Sequence, residues 1–147
     1  MTPNNVLLHV EDDPNDVLLL QRAFKKANLP IAIQAVGDGE KAVSYLSGLE
    51  GFADRAQFPM PAIVLLDLKM PRKSGLETLA WIRGEAKLRR LIVVVFTSSR
   101  HDEDVGKAYE LGANSYLVKP VGFDTLIELT RLIHQYWLTA NERSPAA

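Results

Sequence analysis

The chain has 147 residues, 47% of them hydrophobic, and its 17 basic and 18 acidic residues give a formal net charge of −1. This near-neutral charge disfavours a nucleic-acid partner, which usually needs a basic surface. The sequence contains no cysteine, which excludes disulfides, cysteine-ligated zinc and thiol catalysis. It also has no signal-peptide pattern and no apolar run near the ~20 residues that span a membrane. We therefore expect a soluble, cytoplasmic protein without a membrane partner.

Five short apolar segments alternate with five stretches of helical periodicity. The predicted strands are 6–10, 31–36, 63–66, 91–96 and 115–118. The predicted helices are 15–28, 40–49, 76–83, 102–111 and 123–137. The third and fourth apolar segments are almost continuously apolar, which is typical of strands buried on both faces of a parallel sheet. The alternation predicts a doubly wound α/β domain, with a five-stranded parallel sheet and helices on both faces.

One connection and the C-terminal end stand apart from this alternation. The connection 48–61 is long, and loops of that length are usually functional or mobile. The residues after 137 are too few for a second domain. We therefore expect one domain over 1–147, with a core at 5–138 and a tail at 139–147.

Polar residues follow four of the predicted strands. Glu11 and Asp12 follow the first strand, Asp67 the third, Thr97 the fourth and Lys119 the fifth. In open parallel sheets ligands bind beyond the carboxyl ends of the strands, so these residues are expected to meet. Carboxylates this close repel each other unless a cation intervenes, and hard oxygen ligands favour Mg²⁺, with Mn²⁺ also suitable. Phosphoryl transfer requires a nucleophile and positive charge on the phosphoryl oxygens, and a carboxylate can be that nucleophile.

The sequence resembles the receiver domains of bacterial two-component response regulators. The matching motifs are VEDD at 10–13, LLDLKMP at 65–71, FTS at 96–98 and GANSYLVKP at 112–120, together with Gly75, and the resemblance covers nearly the whole chain. It implies a flavodoxin-like fold with strand order 2-1-3-4-5 and five helices. It also implies a protein that takes a phosphoryl group from a partner histidine kinase in a Mg²⁺-dependent reaction.

The resemblance assigns the acceptor and the metal ligands residue by residue. Asp67 is the expected phosphoacceptor. The metal is expected to be held by the side chains of Glu11, Asp12 and Asp67 and by the backbone carbonyl of Lys69. Many relatives carry Asp at the position of Glu11, so the longer side chain here is a departure that could change metal affinity.

The remaining roles concern the phosphoryl oxygens and the response to phosphorylation. Lys119 is expected to bond a phosphoryl oxygen, and its peptide bond to Pro120 is expected to be cis. Thr97 is expected to move its hydroxyl to the phosphoryl group, and the ring of Tyr116 is expected to follow. The resemblance thus implies a switch made of Thr97 and Tyr116.

A narrower resemblance is to the small response regulators that serve bacterial phytochrome kinases. It is carried by the long 48–61 connection, by the Tyr136-Trp137-Leu138 ending and by the lack of an output domain. We therefore expect signalling by contact with a downstream protein, without a DNA-binding domain. The aromatic end of the last helix also predicts a homodimer.

Two other functions are compatible with parts of the pattern. A haloacid-dehalogenase-like Mg²⁺ phosphatase also uses an aspartate at a strand end, but it carries a second acid two residues later, where this chain has Lys69. A flavodoxin-like cofactor binder needs phosphate donors in its first loop, where Glu11, Asp12 and Asp13 would repel phosphate.

Several residues have a structural interpretation instead of a functional one. Asp13 is better explained as a helix N-cap, because Pro14 follows at the first helical position. Tyr116 considered alone is more typical of an aromatic side chain on a sheet surface. Tyr136 and Trp137 could equally cover the core or contact a partner. The three histidines have no metal ligand at suitable spacing, and we expect structural or solvated roles for His9, His101 and His134.

Overall fold

The structure, a computed structural model, describes residues 5–145. The expected domain also includes 1–4 and 146–147, which lie outside the described residues. The strands are β1 (Val6–Val10), β2 (Ala32–Val36), β3 (Ile63–Leu66), β4 (Ile92–Thr97) and β5 (Ser115–Val118). The helices are α1 (Pro14–Lys26), α2 (Gly39–Ser47), α3 (Gly75–Gly84), α4 (Asp102–Glu110) and α5 (Phe123–Ile133). A π-helix, His134–Ala140, continues α5.

The five strands form one parallel sheet in the order β2-β1-β3-β4-β5, which confirms the predicted architecture and strand order. The register aligns the carboxyl ends of the inner strands: Val10 lies opposite Leu66, and Leu66 opposite Val95. At the next pair of strands, Thr97 lies opposite Val118. Residues that follow these four strands therefore emerge at a common edge of the sheet.

The sheet separates two hydrophobic cores. Successive side chains of a strand point to opposite faces, and every residue of β1, β3 and β4 is buried. On one face, Leu8 and Leu66 pack with α2, α3 and α4; on the other, Leu7 and Leu65 pack with α1 and α5. Each fully buried aliphatic side chain stabilises the fold by about 1.5–3 kcal/mol. This double burial explains the continuous apolar runs in the sequence.

Local capping fixes where the helices begin near the edge. Asp13 accepts a hydrogen bond from the backbone N–H of Asn15 at 2.9 Å, and Pro14 is the first residue of α1, which confirms the N-cap prediction. At the start of α2, Asp38 accepts a hydrogen bond from the N–H of Lys41 at 2.8 Å. Both helices are therefore anchored directly after their strands.

The 48–61 connection is held in place by one arginine and an aromatic cluster. Arg55 donates hydrogen bonds to the carbonyl oxygens of Tyr45 (2.8 Å), Leu46 (3.0 Å) and Phe58 (3.2 Å). The rings of Tyr45, Phe52 and Phe58 pack together, with centroids 5.1–6.0 Å apart. Arg55 thus joins the carboxyl end of α2 to the connection that follows it.

A second arginine joins three segments at the amino ends of the strands. Arg83, in the last turn of α3, donates to the carbonyl oxygens of Gly112 (2.8 Å), Arg89 (3.0 Å) and Leu91 (2.8 Å). It also donates to the side-chain oxygen of Asn114 at 2.9 Å. Burial lowers the pKa of Arg83 below its ordinary value. Arg83 therefore ties α3 to the segments that lead into β4 and β5.

The C-terminal helix differs from the prediction of one helix over 123–137. The α-helical part ends at Ile133, and the backbone continues as a π-helix to Ala140. Trp137 packs against the core beneath α1 and α5, whereas Tyr136 is 56% exposed. The two aromatic residues therefore have different surroundings. Within residues 5–145, the helices are too short or too polar to cross a membrane.

Candidate functional site

The predicted polar residues meet at the carboxyl edge of the sheet. Glu11 and Asp12 follow β1, Asp67 follows β3, and Lys119 follows β5. Thr97 is the last residue of β4, and its carbonyl oxygen accepts a hydrogen bond from the backbone N–H of Lys119 at 2.8 Å. The structure therefore brings these five residues to the same edge.

Three carboxylates form an acid cluster, defined here as Glu11, Asp12 and Asp67. One oxygen from each lies within 4.8 Å of the others. Glu11 and Asp67 are buried, at 2% and 7% exposure, and Asp12 is exposed. Hard oxygen donors converging from two strand ends, with one side open to water, fit a divalent cation of the Mg²⁺ or Mn²⁺ type. Lys69 lies two residues beyond Asp67 in an exposed part of the following loop.

The Asp67 carboxylate accepts hydrogen bonds from the backbone N–H of the next residue and from Lys119. Its Oδ1 accepts a hydrogen bond from the N–H of Leu68 at 2.8 Å, and its Oδ2 lies 3.3 Å from the Nζ of Lys119. The loop folds back so closely that a Cβ at Gly75 would lie 2.0 Å from the carbonyl oxygen of Asp67. Glycine is therefore required at 75, and it keeps the start of α3 against the acceptor.

Lys119 is hydrogen-bonded to three acids, and one of them, Asp16, was not among the predicted site residues. Its Nζ donates to Glu11 Oε1 at 2.5 Å, to Asp16 Oδ2 at 2.8 Å and to Asp67 Oδ2 at 3.3 Å. Asp16 was missed because an acid in the first turn of a helix is already explained by the helix dipole. The position of Asp16 could have indicated this role, because α1 starts directly after the loop that carries Glu11 and Asp12.

Burial and mutual charge shift the pKa values of these groups. Burial raises the pKa of Glu11 to about 7; the hydrogen bond from Lys119 opposes this shift, and the charge of Asp67 adds to it. Burial lowers the pKa of Lys119, but the hydrogen bonds to Asp16 and Glu11 and the charge of Asp67 outweigh it, so the net shift is upward. The edge therefore favours a charged Lys119 and a Glu11 that exchanges protons near neutral pH.

His9 is a buried neighbour of this site. Burial lowers its pKa to about 4, and the positive charge of Lys119 contributes to the same shift. Within residues 5–145 its Nδ1 has no hydrogen-bond partner, and its ring lies 6.3 Å from that of Phe96. A neutral, packed histidine agrees with the structural role expected for it.

Tyr116 lies beside the loop after β4. Its hydroxyl donates a hydrogen bond to the carbonyl oxygen of Ser99 at 3.0 Å, and the Ser99 hydroxyl donates to Asp104 at 2.6 Å. The ring also packs against the core on the α2, α3 and α4 side. Tyr116 is therefore connected to the start of α4 and not directly to Asp67.

The Lys119–Pro120 peptide bond corrects one expectation. Residues 5–145 contain no cis peptide bond, so the prediction of a cis bond between Lys119 and Pro120 is wrong. The trans form is favoured by about 0.5–1 kcal/mol before proline, and Lys119 reaches its three carboxylates with a trans bond.

A family comparison agrees with this geometry. The model of the response regulator receiver domain matches residues 7–131. The chain therefore belongs to the response regulator receiver family, as the sequence motifs predicted. The comparisons give no support to the phosphatase alternative, and the position that would need its second acid holds Lys69.

Two relatives match this chain over most of their own length. The chain is 39% identical to the probable methanogenesis regulatory protein FilR2 of Methanothrix harundinacea, over 95% of this chain and 87% of that protein. It is 35% identical to the response regulator Rcp1 of Synechocystis sp., over 92% of this chain and 90% of that protein.

Solved structures show the same fold. A response regulator in red light signaling of R. palustris has a TM-score of 0.91 and 34% identity, covering 96% of this chain and 99% of that one. The Mn²⁺-bound form of Rcp1 has a TM-score of 0.83 and 33% identity, covering 96% of this chain and 99% of that one. The fold and the family are thus established by sequence and by structure.

Proposed function

We propose that Asp67 accepts a phosphoryl group from the phosphohistidine of a partner histidine kinase. The observation that carries this proposal is the position of the Asp67 carboxylate, which lies at the tip of β3, between the N–H of Leu68 and the ammonium of Lys119. In the transfer, a carboxylate oxygen forms the new P–O bond while the P–N bond of phosphohistidine breaks and the imidazole leaves with that electron pair. The chain catalyses this step and its own dephosphorylation, but acts on no other substrate.

Mg²⁺ is the cofactor that we propose, with Mn²⁺ as a substitute. The side chains of Glu11, Asp12 and Asp67 and the backbone carbonyl of Lys69 would hold it. The close carboxylate oxygens support this assignment, as does the Mn²⁺-bound form of the relative Rcp1. When bound, Mg²⁺ supplies positive charge that stabilises the transferring phosphoryl oxygens.

The chain's own residues complete the reaction and report it. Lys119 donates a hydrogen bond to a phosphoryl oxygen, and Thr97 turns its hydroxyl toward another. The ring of Tyr116 then moves, which changes the surface formed by α4, β5 and α5. The hydrogen bonds of Lys119 with Thr97, and of Tyr116 with Ser99, support this route, because they connect the acceptor edge to the start of α4. Such a local charge event can bias a two-state element.

The partners follow from the family and from its relatives. A histidine kinase is the donor, and a phytochrome is the class of kinase that the red-light and Rcp1 relatives favour. A downstream protein reads the phosphorylated surface, and no nucleic acid or membrane takes part. We also propose a cytoplasmic location, a homodimer that uses the exposed Tyr136, and a single domain with its core at 5–138 and a tail at 139–147.

Phosphorylation with acetyl phosphate tests the proposal. With Mg²⁺ present, we expect intact-mass spectrometry to show one phosphoryl group on the wild-type protein and none on Asp67→Asn. Asp54→Asn is the matched control, because Asp54 is an exposed aspartate of the 48–61 connection. Equal phosphorylation of the wild-type protein and Asp67→Asn would refute the assignment.

A further inference from the structure

The Lys119 ammonium is shared among carboxylates from three different parts of the chain. These are Glu11 after β1, Asp67 after β3 and Asp16 in α1, at 2.5, 3.3 and 2.8 Å respectively. An ammonium group has three N–H donors, so three acceptors occupy its full capacity. The side chains of Lys119 and Asp16 are 15% and 35% exposed, so water screens their attraction only in part.

Asp16 differs from the other two acids in its location. Glu11 and Asp67 belong to the acid cluster, whereas Asp16 lies in the first turn of α1 and outside the cluster. A divalent cation held by the cluster would share the oxygens of Glu11 and Asp67 and repel the Lys119 ammonium. Of the three acids, Asp16 is the one outside the cluster, so it would continue to attract Lys119 without contacting that cation.

We propose that Asp16 is a positioning residue for phosphoryl transfer, which holds the Lys119 ammonium beside Asp67 when a divalent cation occupies the acid cluster. This inference rests on the proposed function and adds a residue to it. With Asp16 accepting one N–H, the ammonium has two others to donate toward a phosphoryl oxygen on Asp67. Asp16 thus acts through Lys119 and does not touch the reacting atoms.

A purely structural role for Asp16 leads to different expectations. A carboxylate in the first helical turn stabilises a helix by about 0.3–1 kcal/mol through the helix dipole. Asp124 occupies the same kind of position in the first turn of α5. Within residues 5–145, the ion pairs of Lys119 are with Glu11, Asp16 and Asp67, so Asp124 is not among its partners. Asp124→Asn is therefore a matched control for the loss of a first-turn charge.

The test is the maximal rate at which acetyl phosphate phosphorylates the protein at saturating Mg²⁺. We expect Asp16→Asn to lower this rate about 5-fold, because a hydrogen-bond donor that is held less firmly loses part of its effect on the transferring group. Asp124→Asn is expected to keep the wild-type rate. Thermal unfolding of each protein shows that the compared variants are folded.

A double-mutant cycle distinguishes positioning from a structural effect. In a Lys119→Met background, Asp16→Asn is expected to cause no further loss of rate, because Asp16 acts through Lys119. A further loss of the same size would overturn the inference, as would an Asp16→Asn protein that reacts at the wild-type rate or faster. Equal losses in Asp16→Asn and Asp124→Asn would also overturn it.

The same experiment separates this inference from the proposed function. A wild-type protein that takes no phosphoryl group refutes the proposed function, and the positioning role with it. A wild-type protein that is phosphorylated, together with an unaffected Asp16→Asn, refutes the positioning role alone.

Discussion

Lys119 and Arg83 are both partly buried cations, at opposite ends of the sheet, and their surroundings are opposite in charge. Lys119 contacts three carboxylates at the carboxyl edge. Arg83 donates to three backbone carbonyls and to the amide oxygen of Asn114 at the amino end. One cation is surrounded by acids, and the other by neutral acceptors.

The difference shows what each region is built to do. Neutral acceptors pair with four of the five N–H donors of Arg83, and a cation bound in this way is suited to holding segments together. The carboxyl edge holds one ammonium group, that of Lys119, and four carboxylates, those of Asp16 and of the acid cluster, so negative charge is in excess there. The remaining negative charge is available to a divalent cation. The Arg83 end therefore joins segments of the fold, whereas the Lys119 end carries an excess of acidic groups.

The largest effect that we expect is on stability at the Arg83 end. Arg83→Met should lower the free energy of unfolding by about 3 kcal/mol, because three carbonyl oxygens, two of them in partly buried bonds, lose their donor. Its affinity for Mg²⁺ should equal that of the wild-type protein. Urea unfolding and Mg²⁺ titration measure the two quantities. Arg22→Met, at an exposed position of α1, is the control. An equal loss of stability in that variant would show that the hydrogen bonds of Arg83 do not account for the effect.

Lys119→Met, unlike Arg83→Met, should change the affinity of the protein for Mg²⁺. Removal of the cation leaves the acids without a counter-charge, so the protein should bind Mg²⁺ about 10-fold more tightly and be less stable without it. Mg²⁺ titrations followed by Trp fluorescence or calorimetry measure the affinity. Weaker Mg²⁺ binding in Lys119→Met would show that the acids are not in excess.

The raised pKa of Glu11 makes Mg²⁺ binding depend on pH. A proton and the cation compete for the same carboxylate, and with a pKa of about 7 Glu11 is mostly protonated at pH 6 and mostly ionised at pH 8. Mg²⁺ affinity should therefore fall about 10-fold between pH 8 and pH 6. Glu11→Gln should bind Mg²⁺ more weakly, with a flatter dependence on pH. A steep dependence in Glu11→Gln would assign the proton to another group.

The smallest effect on stability should come from placing a negative charge beside Arg83. Asn114→Asp keeps the side-chain oxygen that accepts hydrogen bonds from Arg83 and from the N–H of Val93. Because Asn114 is exposed, the new ion pair should change the free energy of unfolding by less than about 1 kcal/mol. Denaturant unfolding at low and high salt measures this. A stabilisation of several kcal/mol would show that neutral acceptors leave Arg83 poorly satisfied.

The sheet and its functional edge could be predicted because their signals are local. Buried parallel strands require continuous apolar runs, and parallel strands place their ends at one edge whatever the details of packing. The sequence therefore identified Glu11, Asp12, Asp67 and Lys119 as neighbours. The strand bounds also agree with the predicted ones to within one residue at either end.

The parts that could not be predicted depend on contacts between distant residues. The hydrogen bonds of Arg83 to Gly112 and Asn114 join residues 29 and 31 positions apart, and no periodicity encodes them. The bond between Asp16 and Lys119 depends on how far each side chain reaches. The spacing of Ile133 and Trp137 also fits an α-helix, so the sequence pattern did not indicate the π-helix that follows Ile133.

Direct identification of the phosphorylated residue tests the central claim most closely. The wild-type protein would be incubated with Mg²⁺ and either a phosphorylated histidine kinase or acetyl phosphate. The acyl phosphate would then be reduced with borohydride, which converts the modified aspartate to homoserine. Peptide mapping by mass spectrometry would then locate the homoserine. We expect it at position 67, and only when Mg²⁺ was present during phosphorylation. Homoserine at another aspartate, or equal conversion at position 67 without a divalent cation, would contradict the account.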